Sequence, residues 1–188
     1  MALITPEKLA ESGTEDGTQR AYLQAVRTCG QFAEEISLIY HIPNGGYRGD
    51  ARSAMIAGAK MKALGAKSGV PDICLPIYRL GYGSLYIEFK KPTGKEGIFK
   101  DQAEYIKLLT RNGNLVVITH NWAQARDITL AYLHSDAAYI RSEMLPSRIP
   151  ENWAKLGHTT NLIDTFGYLD KYNALPLSLI HISEPTRP

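Results

Sequence analysis

The chain has 188 residues, of which 44% are hydrophobic and 21% are charged. It is long enough for one ordinary hydrophobic core and too short for two comfortable domains. No stretch approaches the ~18 consecutive apolar residues of a membrane span, and the start of the chain lacks the basic flank and apolar run of a secretory signal. The two cysteines, Cys29 and Cys74, form no CxxC or CxxH pattern, so we expect neither a disulfide framework nor a zinc site, and a reducing cytoplasm fits best.

The formal net charge of +2 is unevenly distributed along the chain. From Arg48 to Arg111 there are twelve Lys and Arg against six Asp and Glu, whereas the remainder carries nine against thirteen. The central segment could therefore present a positive face to a polyanion. A solvated surface that happens to be basic would give the same counts, so charge alone leaves both interpretations open.

Hydrophobic periodicity predicts a single domain of mixed α/β class. Residues 1–17 are rich in Thr, Gly, Glu and Ser and are expected to be a flexible N-terminus. In chain order, the predicted elements are helix 18–36 with a possible irregularity at Gly30, strand 37–42, helix 50–64, strand 72–75, strand 84–91, helix 100–111, strand 115–119 and helix 123–133.

The pattern weakens beyond Ser135. Residues 136–176 contain Trp153 and several Tyr without clear periodicity, and we expect an extension of unknown role. Residues 177–188 (LSLIHISEPTRP) look like the translation of a sequencing adapter joined to the reading frame. We expect this tail to be non-biological and the natural chain to be truncated near Pro176.

The chemistry of the chain is concentrated on two predicted strands. On an extended strand Glu88 and Lys90 emerge on one face while Ile87 and Phe89 face the other way. The same parity lets a neighbouring strand place the carboxylate of Asp72 beside that of Glu88. Such a pair would repel unless a divalent cation lay between its members, and oxygen ligands of this density suit Mg²⁺ or Mn²⁺.

These residues predict a centre for phosphodiester hydrolysis. A bound metal lowers the pKa of water and acts as a Lewis acid on phosphate oxygen. Lys90 would hold the attacking water and stabilise developing negative charge. By themselves, an acid and a lysine two residues apart also fit an exposed ion pair, and Pro71-Asp72 also fits ordinary turn chemistry.

Several longer motifs accompany these residues. They are the run from His41 to Arg48 (HIPNGGYR), the run from Met61 to Gly65 (MKALG), the run from Gly69 to Asp72 (GVPD), the run from Leu85 to Pro92 (LYIEFKKP), and Gln102. Together they strongly resemble the VRR-NUC branch of the PD-(D/E)XK nucleases. The likeness spans about residues 18–133, and we place the nuclease domain at 18–135. The fold that the resemblance implies is an α/β restriction-endonuclease-like core with a mixed central sheet flanked by helices.

The resemblance implies roles for individual residues. Asp72 and Glu88 would bind the metal, joined by the backbone carbonyl of Phe89, and Lys90 would be the catalytic lysine. Gln102 would support the site from the helix that follows.

The first helix would contribute an acid or an amide to the site. Gln19 matches that position, and Glu15, one helical turn earlier, could serve instead if the helix begins sooner.

Contacts to the nucleic acid are also implied. Asn44, Arg48 and Lys91 are candidates for phosphate contact, although a turn-forming Asn and exposed cations are equally ordinary. His41 and His120 each flank a predicted strand, and we do not expect either to be a ligand.

The function predicted from the sequence is a Mg²⁺- or Mn²⁺-dependent endonuclease that acts on DNA. By resemblance, stand-alone proteins of this branch are often phage-encoded and homodimeric, and some cut branched DNA such as four-way junctions. A phage-encoded chain would act in the cytoplasm of a bacterial host. The alternatives are a restriction-type endonuclease, a module that binds nucleic acid without cutting it, and an enzyme whose substrate is RNA.

Overall fold

The computed structural model describes residues 4–43, 51–92, 98–143, 145–146 and 161–163. The strands within these residues are β1 (Tyr40–His41), β2 (Ile73–Leu75), β3 (Leu85–Phe89), β4 (Leu115–Thr119), β5 (Leu145–Pro146) and β6 (Asn161–Ile163). They form one sheet in the order β1-β2-β3-β4-β6-β5. The β3–β4 and β5–β6 pairs are parallel and the other pairs are antiparallel, so the sheet is mixed.

Helices lie on both sides of this sheet. They are α1 (Pro6–Ala10), α2 (Glu15–Thr28), α3 (Ala33–Ser37), α4 (Ala51–Ala63), α5 (Lys100–Arg111), α6 (Trp122–Leu133) and α7 (Ala137–Glu143). In the described part of the chain, no helix combines the length and apolar character needed to cross a membrane.

The alternation of side chains along the strands divides the core into two parts. Ile87 and Phe89 of β3 face the larger cluster, which α2 and α6 cover. Val116 and Ile118 of β4 face the opposite side and pack with Ile106 of α5. Strand β3 is therefore held between two helical layers, in agreement with the predicted sheet flanked by helices.

Tyr22 fixes α2 against the end of β3. Its ring centroid lies 5.5 Å from that of Phe89, and its hydroxyl lies 3.0 Å from the hydroxyl of Thr129 on α6. Both Tyr22 and Phe89 are fully buried. These contacts anchor the strand from the face opposite to Glu88 and Lys90.

The single helix predicted over residues 18–36 is wrong. Gly30 and Phe32 adopt left-handed backbone conformations, with φ of +74° and +52°, so the chain breaks into α2 and α3. A left-handed residue just past the last helical turn is a common helix terminator, and Gly30 supplies it here. The strand predicted over 37–42 is correspondingly short, because Ser37 still belongs to α3 and only β1 remains extended.

The two ends of the chain contain helices and strands for which the sequence pattern gave no prediction. Residues 1–17, expected to be flexible, contain α1 and the first turn of α2, whose N-terminus is capped by the side chain of Thr14. In the extension after residue 135, α7 packs against α6 and β6 pairs antiparallel with β4. The central elements agree closely with prediction, since α5 and β4 have the predicted bounds and α4, β2, β3 and α6 differ by one or two residues at an end.

Gly69 allows the loop after α4 to touch the start of α5. Its φ is +81°, and a Cβ built on it would lie 2.4 Å from the carbonyl oxygen of Asp101 and 2.7 Å from the nitrogen of Gln102. The neighbouring Ser68 hydroxyl donates to the Asp101 carboxylate at 3.0 Å. This close approach holds the loop that leads into Asp72 against the helix that carries Gln102.

We predict that Gly69→Ala destabilises the protein more than Gly65→Ala. Gly65 also has a positive φ, +94°, but a Cβ built on it would have no neighbour within 4 Å among the described residues, so alanine there meets only the backbone cost of about 1–2 kcal/mol. At Gly69 the clash with α5 should add roughly 1–3 kcal/mol. Urea denaturation of both variants measures the loss in free energy of unfolding. Equal losses for the two variants would show that the loop at Gly69 is not in close contact with α5.

Candidate metal and catalytic site

A cleft of about 710 Å³ opens where β2, β3 and the start of α5 meet the N-terminal end of α2. Its described lining includes acidic residues from each of these regions: Glu15, Asp16, Asp72, Glu88 and Asp101. Lys90 and Lys100 are the lysines among the residues that line it. Carboxylates therefore dominate the charge of the cleft.

The sheet register brings Asp72 and Glu88 together. β2 and β3 are antiparallel with Ile73 opposite Ile87, so Asp72, one residue before β2, lies across from Glu88. Asp72 Oδ2 accepts a hydrogen bond of 2.9 Å from the backbone N–H of Phe89. The carboxylate of Asp72 is thus tied to the strand that carries the other two predicted site residues.

Glu88 and Lys90 form a buried ion pair on the site face of β3. Lys90 Nζ lies 2.8 Å from Glu88 Oε1, and the two residues, Lys90 and Glu88, are only 4% and 2% exposed. The backbone N–H of Lys90 donates to the carbonyl of Thr119 at 2.9 Å, which extends the β3–β4 pairing by one residue. The common alternative for an acid and a lysine two residues apart, an exposed ion pair, is therefore wrong for this chain.

Gln102 joins the ion pair from α5. Its Oε1 accepts from Lys90 Nζ at 3.1 Å and from the backbone N–H of Phe99 at 3.1 Å, while its Nε2 donates to Glu88 Oε1. Phe99 is the N-cap residue of α5, and Gln102 is at the third position of the helix. One amide thereby satisfies an N-terminal backbone group and both partners of the ion pair.

The environment of Glu88 disfavours its charged form. Burial raises its pKa, and the negative charge of Asp72 raises it further; the opposing effects of Lys90 leave the pKa at about 8. Glu88 Oε2 is buried and accepts no hydrogen bond from the described residues. An ionised Glu88 would therefore place part of its charge where this portion of the chain provides no donor.

These observations fit a divalent cation held by oxygen ligands. A cation near Asp72 and Glu88 would remove their repulsion and give Glu88 Oε2 a partner. The described residues contain no group of three or more His, Cys, Asp or Glu side chains that could hold a metal. Two carboxylates completed by a main-chain carbonyl and water suit Mg²⁺ or Mn²⁺ better than Zn²⁺, which favours nitrogen and sulfur.

Helix α2 brings two candidates to the cleft. Gln19 is half-buried, and its Nε2 lies 2.7 Å from Nδ1 of His41. The same His41 nitrogen lies 3.0 Å from the carbonyl oxygen of Asp72. Glu15, in the first turn of α2, contributes to the raised pKa of Glu88 through its charge. Both residues predicted as alternatives thus line the site, and the role of each stays a prediction.

His41 lines the cleft, although the sequence pattern assigned it no role there. Its place at the start of the His41–Arg48 motif was the available signal, but a histidine that flanks a strand is ordinary. Here the imidazole lies between α2 and the backbone of Asp72.

None of the three residues predicted to contact phosphate is among the described residues that line the cleft. Lys91 is exposed and is not among the described residues that line the cleft, and its carbonyl oxygen lies 2.7 Å from His120 Nδ1. Asn44 and Arg48 lie outside the described residues.

The fold is similar to that of a solved structure described as a VRR_NUC domain protein. The TM-score is 0.53 and the sequences are 25% identical, over 64% of this chain and 88% of that chain. Neither a protein-family model nor a curated protein matches the sequence. The chain therefore has a VRR-NUC-like fold of the restriction-endonuclease-like type, which confirms the predicted fold class.

We predict that Glu88 makes the metal-free protein less stable as the pH rises from about 5 to about 8. Between the unfolded pKa near 4.5 and the folded pKa of about 8, the folded state binds the proton that the unfolded state has released, so stability falls with pH. The slope approaches about 1.4 kcal/mol per pH unit for one proton. Urea denaturation in EDTA across this range measures it.

Glu88→Gln should lack this dependence, because an amide does not ionise. The absolute stability of this variant also reflects an altered partner for Lys90, so the informative quantity is the change with pH. Glu104→Gln, at an exposed position of α5, is the matched control and should follow the wild-type curve. If the Glu88→Gln and wild-type proteins differ by the same free energy at every pH, Glu88 does not titrate in this range.

Proposed function

We propose that this protein is a metal-dependent nuclease of the VRR-NUC type that hydrolyses phosphodiester bonds in DNA. The observation that carries the proposal is the convergence of Asp72, Glu88 and Lys90 in one cleft, with Glu88 Oε2 buried and accepting no hydrogen bond from the described residues. The structural likeness to a VRR_NUC domain protein supports a nuclease-type domain independently of those contacts.

Asp72, Glu88 and the backbone carbonyl of Phe89 would hold Mg²⁺ or Mn²⁺. When bound, the metal would supply a lowered pKa for water and Lewis-acid polarisation of phosphate oxygen. The residues themselves supply fixed geometry, because Asp72 is tied to the Phe89 N–H and Glu88 to Gln102.

Lys90 would act on the reacting phosphate or the attacking water. Its ammonium is held at the cleft by Glu88 and Gln102, so it can donate to a developing negative charge without first being ordered. Gln102 would be a positioning residue that fixes the direction of the Lys90 side chain. Gln19 and His41 would orient the backbone at Asp72 from α2 and β1.

The finer assignments belong to this proposal as well. A homodimer, phage origin, action in a bacterial cytoplasm and cleavage of branched DNA follow from the resemblance alone. Restriction-type cleavage, RNA cleavage and binding without cleavage are the rivals. A panel of single-stranded, duplex and four-way-junction DNA and RNA, with and without Mg²⁺, separates these possibilities by which molecules are bound and which are cut.

We predict that DNA cleavage requires Mg²⁺ or Mn²⁺ and is abolished by EDTA. Asp72→Asn removes a ligand charge and Lys90→Met removes the ammonium, so each should lower the cleavage rate by about 10²- to 10³-fold or more. The measurement is the initial rate on the best substrate of the panel, with saturating metal and enzyme purified from a nuclease-deficient host.

Asp127→Asn and Lys107→Met are the matched controls for charge and size. Asp127 lies on α6 and Lys107 on the exposed side of α5, and neither lines the cleft. Both should cut at the wild-type rate. Unchanged cleavage by Asp72→Asn and Lys90→Met would remove the site assignment, and binding without cleavage under every metal would favour the non-catalytic module.

We also predict that Mg²⁺ stabilises the wild-type protein through the same two carboxylates. A ligand that binds only the folded state adds about 2.7 kcal/mol at 100 times its Kd, which corresponds to a rise in Tm of roughly 5–10 °C for a chain of this size. Differential scanning fluorimetry measures the shift without any cleavage. Asp72→Asn and Glu88→Gln should lose it and Asp127→Asn should keep it; an equal shift in all four proteins would mean that Mg²⁺ binds elsewhere.

A further inference from the structure

Helix α4 stands apart from the two helical layers. Among the described helices and strands, none packs extensively against it. Its apolar side chains Met55, Ile56 and Met61, together with Leu64 just beyond its end, are between 43% and 73% exposed. Large exposed apolar side chains concentrated on one element mark an interaction surface rather than the ordinary scatter of single apolar residues.

The charge of this segment is entirely positive. The residues between Asp50 and Asp72 include Arg52, Lys60, Lys62 and Lys67 and no acidic residue. The three lysines are exposed. Because no carboxylate of its own segment neutralises them, the surface is complementary to a polyanion.

We infer that α4 and the turn after it, residues 51–67, form a surface that grips duplex DNA beside the cleft. This inference rests on the proposed function. The lysines contact backbone phosphates, and the Met, Ile and Leu side chains, types that proteins insert into the minor groove, pack against the groove. We call these residues the α4 arm.

The α4 arm runs directly into the cleft. Ser68 and Gly69, which line the cleft, follow Lys67 without interruption, and the Ser68 contact to Asp101 fixes that junction. Thirteen helical residues span about 20 Å. At about 3.4 Å per nucleotide step this covers about six base pairs. A duplex whose phosphate enters the cleft would therefore have room to lie along the arm.

Charge also explains why DNA suits this surface better than a second copy of the chain. A two-fold interface is made of the same patch on both subunits. Pairing the arm with itself would bring lysines against lysines with no acidic residue of residues 51–71 to offset them. The cleft, by contrast, is rich in carboxylates and repels a phosphate backbone, so a neighbouring cationic surface is needed to bring DNA to it.

The test is the binding of a fluorescein-labelled duplex of about 30 base pairs by fluorescence anisotropy, with Ca²⁺ in place of Mg²⁺ and at several salt concentrations. The variant Lys60→Gln/Lys62→Gln/Lys67→Gln should bind the duplex about tenfold more weakly, or weaker still, at ~0.15 M salt. The slope of log K against log salt should fall by about 2.7, or roughly 0.9 for each lost phosphate contact. Met55→Gln/Ile56→Gln/Leu64→Gln should also weaken binding but leave the slope unchanged.

The matched control is Arg27→Gln/Lys107→Gln/Arg111→Gln, which removes the same charge from exposed positions on α2 and α5 away from the cleft. It should retain the wild-type slope to within about one unit. Equal slopes for the lysine variant, the control and the wild type would overturn the α4 arm.

Light scattering during size-exclusion chromatography tests whether this surface is instead an interface between two copies of the chain. The α4 arm requires all these proteins to share the wild-type mass. If the apolar variant instead turns a dimer into a monomer, the surface is an interface between copies and the inference fails. If the wild-type protein cuts DNA and the arm variants bind normally, only the inference about the α4 arm is contradicted. If the wild-type protein neither binds nor cuts DNA, the proposed function is contradicted as well.

Discussion

The buried contact between Lys90 and Glu88 is the interaction on which the arrangement of the site depends. Removing two charged groups from water is costly, and the pair persists only because further hydrogen bonds surround it. Gln102 supplies them, and the same amide caps the start of α5. The position of α5 is in turn limited by Gly69, where any side chain would meet the helix backbone. The loop at Gly69, helix α5 and strand β3 are therefore all held in place around one buried polar cluster of Glu88, Lys90 and Gln102.

The surroundings of Glu88 disfavour its negative charge. Burial and the charge of Asp72 outweigh the attraction of the Lys90 ammonium. The raised pKa of Glu88 expresses this imbalance, because a proton takes the place that a stronger cation would fill. A fold selected only for stability would gain by replacing such a pair with apolar residues. Retaining it makes sense if the negative charge serves to bind a cation.

The shared face of Glu88 and Lys90 could be predicted more securely than the elements around it, for a physical reason. The two-residue period of a strand determines that Glu88 and Lys90 share a face, and it holds in any register. The division of the predicted helix 18–36 into α2 and α3 depends instead on the left-handed backbone at Gly30 and Phe32. No apolar pattern shows that conformation. Gln102 is close to Lys90 because α5 begins at Lys100, which is the start that the sequence pattern predicted, although helix starts are in general its least certain feature.

The short strands after residue 135 were not predicted, and the strand over residues 37–42 was predicted too long. β6 is three residues long, which is too short for a recognisable sequence pattern. It is a strand because its backbone pairs with β4. The same reasoning applies to His41, which lies in a strand of two residues and reaches the cleft through the register of β1 with β2. Local pattern thus specifies which residues can share a face, whereas long-range pairing decides which faces meet. In this chain the shared face of Glu88 and Lys90 follows from local pattern, whereas the walls of the cleft around them depend on long-range pairing.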